Sequence, residues 1–272
     1  MILSDMDARP VLFMDSGIGS LPYGVFFHNA NKDETLICAA DRAHFPYGPK
    51  PREALIELLS VLTEKLIDRY NPKILALACN TASVSALKAL REQFPRLPIV
   101  GTVPAVKPAV QASLTRRVGV LGTERTIEDP YIAELAARYG PDCEITGIAA
   151  PSLVEFVERR FALADSTERL LAVKPWVEKF REAGADAVVL GCTHFLLLLE
   201  EFKTAAGETM GVYDSLEGVS RRVESFLDAE GGKLRSRCGN RAPPVLAVSG
   251  EAPLEPYWTL LADFFGFSLG RI

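Results

Sequence analysis

The sequence predicts an α/β fold made of two similar α/β domains, each with a mainly parallel sheet. Three observations lead to this fold class. Short apolar runs alternate with helical patterns, which is typical of βαβ units. Most of the runs are apolar throughout, as expected of strands that are covered on both faces. The 272-residue chain also contains a weak internal repeat, whose two copies lie 107 to 113 residues apart.

Nine apolar runs are predicted to be strands, since each is short and bounded by polar, Gly or Pro residues. They lie at 11–14, 35–40, 74–78, 99–101, 117–121, 144–149, 187–190, 211–213 and 245–248.

Between the strands, apolar residues recur at helical spacing. The stretch "REALIELLSVLTEKLIDRY" places Leu55, Leu59, Leu62 and Leu66 on one stripe, before "NP" ends the helix. A last helix is expected to contain "YWTLLADFFG". Two further stripes are interpreted as core: Val84, Leu87 and Leu90, and Leu216, Val219, Val223 and Phe226.

The internal repeat predicts the domain organisation. "VLFMDSGIGS" at 11–20 aligns with "VGVLGTERTI" at 118–127, which sets Ser16 opposite Thr123. Later in each copy an apolar strand is followed by a cysteine, Cys79 in the first and Cys192 in the second. We therefore expect two domains, 1–102 with 214–272 and 103–213. They would be related by an approximate twofold axis, with the active site in the cleft between them.

The composition excludes several classes of function. A net charge of −5 argues against broad attraction to nucleic acid or to an anionic membrane. The densest basic stretch, "KLRSRCGNR" at 233–241, is interpreted as a solvated loop. The start of the chain does not resemble a signal peptide, and the longest apolar stretch, 187–199, is shorter than a membrane span.

The cysteines predict reduced thiols. They are five in number and form no CxxC pair, which favours a reducing compartment over a disulfide framework. We therefore expect a cytoplasmic protein.

Polar residues cluster where three strands end. In open α/β sheets ligands bind beyond the carboxyl ends of the strands, where helix N-termini offer unpaired N–H groups. Each cluster alone has a structural reading as a turn, a helix cap, a core cysteine or a hydrogen-bonded histidine. Their coincidence at repeat-related positions favours a site. The clusters are Asp15 with Ser16, Cys79 with Asn80 and Thr81, and Cys192 with Thr193 and His194.

Two symmetric thiols suit a two-base racemisation. A thiolate on one face of a carbon removes a proton, and a thiol on the other face returns one with inverted configuration. A thiol hydrolase needs no second cysteine, and zinc needs more closely spaced Cys or His ligands. The sequence has no Walker motif and no GxGxxG spacing, so neither a metal nor a nucleotide cofactor is expected.

The chain resembles the glutamate racemase family, whose members are cofactor-independent and supply D-glutamate for peptidoglycan. The resemblance lies in "FMDSGIGSL", "ADRAHFPYG", "LACNTASVSAL", "VGVLGTERTI", "PSLVEFVERR" and "VVLGCTHFLLL", which occur in family order. It implies that Cys79 removes the proton of D-glutamate and Cys192 that of L-glutamate. Asp15 would assist Cys79, while Glu158 and His194 would assist Cys192. A homodimer is a further family-level expectation.

The resemblance also implies the substrate contacts. The chain departs from the family pattern at Pro22, which removes a backbone donor after the first motif, and at Asp129, which replaces the usual serine. The implied glutamate-binding residues are Asp15, Ser16, Tyr47, Gly48, Asn80, Thr81, Thr123, Thr126, Thr193 and His194.

Two alternatives remain open. An aspartate racemase of the same superfamily would use the same thiol pair on a shorter acid, although "PYG" at 46–48 and "GCTH" favour glutamate. A two-domain protein that binds an acidic metabolite without turnover would need the polar strand ends but not the paired thiols.

Overall fold

A computed structural model describes residues 7–236 and 243–272 of the chain. The described residues form two compact units. Unit 1 comprises the residues up to Thr102 together with Leu216–Ile272, and unit 2 comprises Val103–Ser215. Each unit has its own sheet and its own helices. The chain therefore passes from unit 1 to unit 2 and back once.

Ten strands are present in the described part of the chain. They are β1 (Val11–Asp15), β2 (Leu36–Ala40), β3 (Ile74–Leu77), β4 (Ile99–Gly101), β5 (Arg117–Gly122), β6 (Glu144–Ala149), β7 (Ala187–Leu190), β8 (Gly211–Tyr213), β9 (Val245–Val248) and β10 (Ser268–Arg271).

The described residues also form helices, which lie mostly between consecutive strands. They are α1 (Ser20–Ala30), α2 (Arg52–Tyr70), α3 (Asn80–Gln93), α4 (Val106–Ala112), α5 (Glu124–Glu128), α6 (Pro130–Tyr139), α7 (Pro151–Arg160), α8 (Ser166–Glu182), α9 (Leu199–Ala206), α10 (Leu216–Leu227), α11 (Ala229–Gly232) and α12 (Pro256–Phe265). Short 3₁₀ turns lie at Arg42–His44, Thr193–Leu198 and Gly207–Thr209.

Unit 1 contains a six-stranded sheet in the order β10-β9-β2-β1-β3-β4, and every pairing in it is parallel. The central strand β1 is buried along its whole length, because helices cover both faces. The four leucines of the predicted stripe on α2 are all buried in this core.

Unit 2 contains a four-stranded parallel sheet in the order β6-β5-β7-β8. Its strand order repeats the order β2-β1-β3-β4 of unit 1, with β5 in the place of β1 and β7 in the place of β3. The predicted fold class, two similar α/β domains with mainly parallel sheets, is confirmed for each unit.

All nine predicted strands are present, with ends that differ by one residue at most. The tenth strand, β10, escaped prediction because "SLGR" contains one large apolar residue and lies at the sheet edge. The predicted core stripe of α3 is only partly right. Leu90 is buried, but Val84 and Leu87 are half-buried, and the small residues Ala82 and Ala86 face the core instead.

At the amino ends of the unit 1 strands lies a buried ion pair. Lys73 Nζ is 2.6 Å from Glu34 Oε2, and both side chains are almost fully buried. Lys73 also donates to the carbonyl of Asp7, and the N–H of Ser236 donates to Glu34 Oε1 at 3.0 Å. Buried charges require such partners, and the cluster ties separate parts of the chain together.

The same cluster bears on the segment 233–241, which was expected to be a solvated loop. Its residues 237–241 lie outside the described part of the chain. In the remainder, Ser236 is buried and the guanidinium of Arg235 pairs with Asp228 at 2.7 Å.

Among the described residues, no helix is long and apolar enough to cross a membrane.

Candidate functional site

In each sheet, the carboxyl ends of the parallel strands lie side by side and bring polar residues together in a row. In unit 1, Asp15 is the last residue of β1, and Cys79 follows β3 with Ala78 between them. Two residues that were not predicted lie in the same row: Asp41 follows β2 and Ser249 follows β9. Thr102 follows β4 at the other end of the row.

Asp15 is fully buried and its carboxylate is held by the next turn. Asp15 Oδ1 accepts from the N–H of Gly17 at 2.8 Å and from the hydroxyl of Ser16 at 3.4 Å. The N–H of Asp41 donates to the carbonyl of Asp15 at 2.9 Å, which joins the ends of β1 and β2. The carboxylate is thus fixed at the centre of the row.

The backbone fixes Cys79 as the residue that precedes α3. Ala78 donates its N–H to the carbonyl of Met14 at 2.8 Å, and Ser83 donates its N–H to the carbonyl of Cys79 at 2.9 Å. The side chain of Cys79 is 5% exposed and does not cap the helix. A thiol in this position lies at the positive end of the α3 dipole, which stabilises a thiolate.

Asn80 and Thr81 begin α3, and both side chains are buried. Neither amide atom of Asn80 has a hydrogen-bond partner among the described residues. A buried amide without hydrogen-bond partners lowers the stability of the folded protein. Its presence in a native structure therefore suggests that a ligand supplies the missing partners. The reading of Asn80 as a mere helix cap does not hold, since its side chain makes no capping bond.

Tyr47 belongs to a buried network that is centred on Asp41. The Tyr47 hydroxyl donates to Asp41 Oδ2 at 2.8 Å. The Ser249 hydroxyl donates to Asp41 Oδ1 at 2.5 Å, and His44 Nδ1 lies 2.9 Å from both carboxylate oxygens. Burial raises the pKa of Tyr47 well above its ordinary value, and the negative charges of Asp41, Cys79 and Asp15 act in the same direction. Tyr47 is therefore a neutral phenol within electrostatic reach of Cys79.

Gly48 follows Tyr47 and is half-buried. The predicted site residues that precede residue 102 all belong to unit 1. They are Asp15, Ser16, Tyr47, Gly48, Cys79, Asn80 and Thr81.

In unit 2, Thr123 follows β5 in the place that Ser16 takes after β1. Thr123 caps the short helix α5, since its Oγ1 accepts from the N–H of Thr126 at 3.3 Å. The two threonine hydroxyls are 3.0 Å apart, and Thr126 is fully buried. Both residues thus have a structural part in closing the turn after β5.

Cys192 is the first member of a chain of three polar side chains. Its Sγ lies 3.7 Å from Nδ1 of His194, and Nε2 of His194 lies 2.6 Å from Oε1 of Glu158. Cys192 is 5% exposed, and the side chains of His194 and Glu158 are 4% and 10% exposed. Thr193, between the cysteine and the histidine, is also buried. The structure thus brings together the three residues that were expected to act on the Cys192 side.

Local structure explains how distant residues meet in this chain. Cys192 and His194 lie where β7 gives way to the 3₁₀ turn Thr193–Leu198, and Glu158 lies in the last turn of α7. That helix packs against the 3₁₀ turn. Val154 and Val157 bury the inner face of α7, which leaves Glu158 beside His194 at the edge of the core.

The other described thiols lack such surroundings. Burial raises the pKa of Cys38, whose Sγ contacts the carbonyl of Ser20 at 3.6 Å. Burial also raises the pKa of Cys143, which lies near Arg116 and Asp142. The four cysteines in the described part are free thiols, and Cys238 lies outside that part. Within the same residues, no cluster of three or more His, Cys, Asp or Glu side chains could hold a metal ion.

The two departures from the family pattern have structural explanations. Pro22 lies in the first turn of α1, where its missing N–H would have had no partner within the helix. Asp129 caps α6, since its Oδ1 accepts from the N–H of Tyr131 at 3.0 Å. Neither change disturbs the strand ends that carry the thiols.

Known proteins resemble this chain over most of its length. The family model described as Asp/Glu/Hydantoin racemase matches residues 29–217. The glutamate racemase of Treponema pallidum (strain Nichols) is 41% identical over 211 residues, which cover 78% of each chain. That of Sphingopyxis alaskensis is 36% identical over 258 residues, which cover 91% of this chain and 94% of the relative.

A solved structure agrees with these matches. The glutamate racemase of Escherichia coli, in complex with L-glutamate and the activator UDP-MurNAc-ala, aligns with a TM-score of 0.83 at 30% identity. The alignment covers 97% of both chains. The chain thus belongs to the aspartate/glutamate racemase family, and within that family it is a relative of the glutamate racemases.

Proposed function

We propose that this protein interconverts L-glutamate and D-glutamate without a cofactor, with Cys79 and Cys192 as the two acid–base groups. The observation that carries the proposal is the equivalence of the two thiols. Each follows the strand next to the central strand of its sheet, and each opens the helix or turn that comes after it. Family membership supports the substrate class.

The geometry around Cys192 supports a proton relay. A carboxylate can only accept a hydrogen bond, so the neutral ring of His194 carries its proton on Nε2, toward Glu158. The lone pair of Nδ1 then faces Sγ of Cys192 and can take the thiol proton. Glu158 would stabilise the imidazolium that forms. Cys192 is thereby prepared as the base for L-glutamate.

The surroundings of Cys79 are different. No described histidine takes the place that His194 has beside Cys192. The ionisable groups nearby include Asp15, at the end of the adjacent strand, and the phenol of Tyr47. We propose that Asp15 exchanges a proton with Cys79, helped by the N-terminal end of α3. The two thiols would therefore be activated by unlike groups, although their places in the sheets are equivalent.

The proposed reaction moves two protons and no other atoms. With D-glutamate, the Cα–H bond breaks and its proton joins the Cys79 thiolate, while the electron pair stays on Cα. The S–H bond of Cys192 then breaks, and its proton bonds to the opposite face of Cα. The product is L-glutamate, and the thiols have exchanged protonation states. Proton exchange through Asp15 and through His194 restores the starting enzyme.

Substrate binding would rest on neutral donors. Glutamate has two carboxylates, and the partnerless amide of Asn80 is the strongest candidate to hold one of them. The buried hydroxyls of Thr81 and Thr193 would supply further donors, whereas the Ser16 hydroxyl donates to Asp15 and would serve the substrate as an acceptor. The carbanion at Cα has no cofactor to delocalise it, so fixed donors and exclusion of water must stabilise it.

Circular dichroism of each glutamate enantiomer tests the proposal. Purified protein, with neither pyridoxal phosphate nor metal added, is expected to bring L- and D-glutamate to the same racemic end point. In deuterated water it should exchange the Cα proton. Aspartate serves as the matched control substrate. Racemised aspartate beside inert glutamate would transfer the function to aspartate racemase, and no exchange with either would favour the binding protein.

We propose further that the product supplies peptidoglycan synthesis in the cytoplasm, as the resemblance to the family implies. Expression of the gene in a bacterial D-glutamate auxotroph tests this role. Growth without added D-glutamate is the expected result, and a variant with both thiols replaced is the control. Failure to restore growth by a protein that is active in vitro would contradict the cellular role but not the activity.

A further inference from the structure

We infer that Asp41 is a positioning residue for the proposed reaction: its buried carboxylate fixes the hydroxyl of Tyr47 and, with it, the Tyr47–Gly48 segment. Asp41 lies outside the set of site residues that the sequence predicted. The inference rests on the proposed function, because it assigns Tyr47 and Gly48 to glutamate binding.

Both carboxylate oxygens of Asp41 are engaged. Its side chain is fully buried, which makes an unpaired charge there very costly. Tyr47 donates to Oδ2, Ser249 donates to Oδ1, and His44 Nδ1 lies 2.9 Å from both oxygens. Three side chains from two parts of the chain, His44 and Tyr47 from one and Ser249 from the other, thus converge on one carboxylate.

The network joins the ends of three neighbouring strands. Asp41 follows β2, Ser249 follows β9, and the N–H of Asp41 donates to the carbonyl of Asp15 at the end of β1. The Ser249 hydroxyl also accepts from the N–H of Ala43 at 3.0 Å. The segment from 41 to 48 is therefore anchored to the sheet at its first residue and, through Tyr47, near its last.

The direction of the Tyr47 bond changes the expected role of this residue. An ionised aspartate is only an acceptor, so the Tyr47 hydroxyl must give its proton to Asp41. That proton is then not available to a substrate carboxylate. Tyr47, which the family resemblance implied as a glutamate-binding residue, would therefore act through the position of its ring and of the adjoining backbone and not as a hydroxyl donor to a carboxylate.

A merely structural carboxylate provides the matched control. Glu34 is as deeply buried as Asp41 and is paired with Lys73, but it lies at the opposite ends of the same strands. Glu34→Gln should lower the melting temperature and leave the Michaelis constant (KM) for glutamate unchanged. A comparison with Asp41→Asn separates loss of stability from loss of positioning.

The experiment measures kcat, KM and melting temperature for wild type, Asp41→Asn, Tyr47→Phe, the double variant and Glu34→Gln. Asp41→Asn and Tyr47→Phe should each raise KM about 10-fold, the effect of losing one hydrogen bond to a charged group. Their kcat should change much less. The KM of the double variant should be no higher than that of the single variant with the higher KM, because both substitutions break the same hydrogen bond.

Two results would overturn the inference: a wild-type KM in Asp41→Asn, or KM increases that multiply in the double variant. If Asp41→Asn does not fold, the single variants Ser249→Ala and Tyr47→Phe take its place, since each removes one donor to Asp41. A wild-type KM in both would then overturn the inference. An inactive wild type would refute the proposed function instead. The bond itself is then judged by the ¹³Cζ NMR signal of labelled Tyr47, which must shift in Asp41→Asn.

Discussion

Nε2 of His194 lies 2.6 Å from Oε1 of Glu158, and this contact favours the tautomer whose proton is on Nε2, so that Nδ1, the nitrogen that faces Cys192, has the lone pair. Without the carboxylate, the proton of the imidazole could occupy either nitrogen. With it, the lone pair is directed toward the thiol. In the proposed mechanism, the pair therefore sets the acid–base state of Cys192, which is only 5% exposed.

Glu158→Gln should slow racemisation about 10- to 100-fold, the range expected for weakened acid–base assistance. Because the enantiomers have equal free energy, kcat/KM must fall by the same factor in both directions. The asymmetry should appear in isotope effects: L-[2-²H]glutamate should show a larger increase than D-[2-²H]glutamate. Glu155→Gln, on the exposed face of the same helix, is the control. Equal isotope effects would contradict an assignment of Glu158 to the Cys192 side.

Replacement of either Cys79 or Cys192 by alanine should reduce racemisation at least about 1000-fold, since inversion needs an acid and a base on opposite faces. The measurement is the rate of optical change from each enantiomer. Cys38→Ala is the matched control, because Cys38 is another buried free thiol of unit 1 and contacts only a backbone carbonyl by hydrogen bonding. Near-normal turnover in either catalytic variant would contradict the two-base mechanism.

Asn80→Ala should raise KM for glutamate about 10-fold or more, because a substrate carboxylate would lose a buried donor. The melting temperature should stay the same or rise, since the unliganded protein no longer buries an amide without partners. Asn31→Ala is the control: its amide donates to Phe27 and Glu224. Asn31→Ala should lose stability and keep its KM. The same pattern in Asn80→Ala would argue that Asn80 is structural.

Asp186 should make unit 2 more stable at neutral than at acidic pH. Burial acts to raise its pKa, but hydrogen bonds from Ser113, Thr115 and Leu114 outweigh burial and hold the pKa below its ordinary value. The stabilisation is therefore complete above the unfolded-state pKa and is lost as pH falls through the lower folded-state pKa.

Asp186→Asn should lower the free energy of unfolding by about 1–2 kcal/mol at pH 7, the usual value of hydrogen bonds to a charged group that is partly exposed. The difference from wild type should vanish in acid. Chemical unfolding across the acidic range, followed by circular dichroism, measures both effects. Asp142→Asn, at an exposed ion pair with Arg116, should change little. A difference between Asp186→Asn and wild type that grew in acid would contradict the argument.

Much of the fold was predictable because buried parallel strands leave a strong signal. Runs such as 74–77 and 187–190 are apolar without a break, and the polar residues after them mark the site. β10 left no such signal because "SLGR" has no apolar run. The stripe on α3 misled because Ala82 and Ala86, small residues that allow close packing on the sheet, form its inner face.

The parts of the site that escaped prediction depend on long-range pairing. Asp41 and Ser249 meet only because β9 pairs with β2, and sheet order cannot be read from periodicity. Ser249 did have a signal that could have identified it, because it is the polar residue that follows the predicted strand 245–248. Glu158 entered only through the family resemblance, since nothing in "PSLVEFVERR" indicates a meeting with His194.

The discontinuity of unit 1 has a consequence for synthesis on the ribosome. Unit 2 possesses all four of its strands once Ser215 has emerged, whereas the sheet of unit 1 must wait for β9 and β10 at the end of the chain. Until then β2 is an open edge, and Asp41 lacks the hydroxyl of Ser249. The unit whose first strands are translated first is therefore the unit whose sheet is completed last.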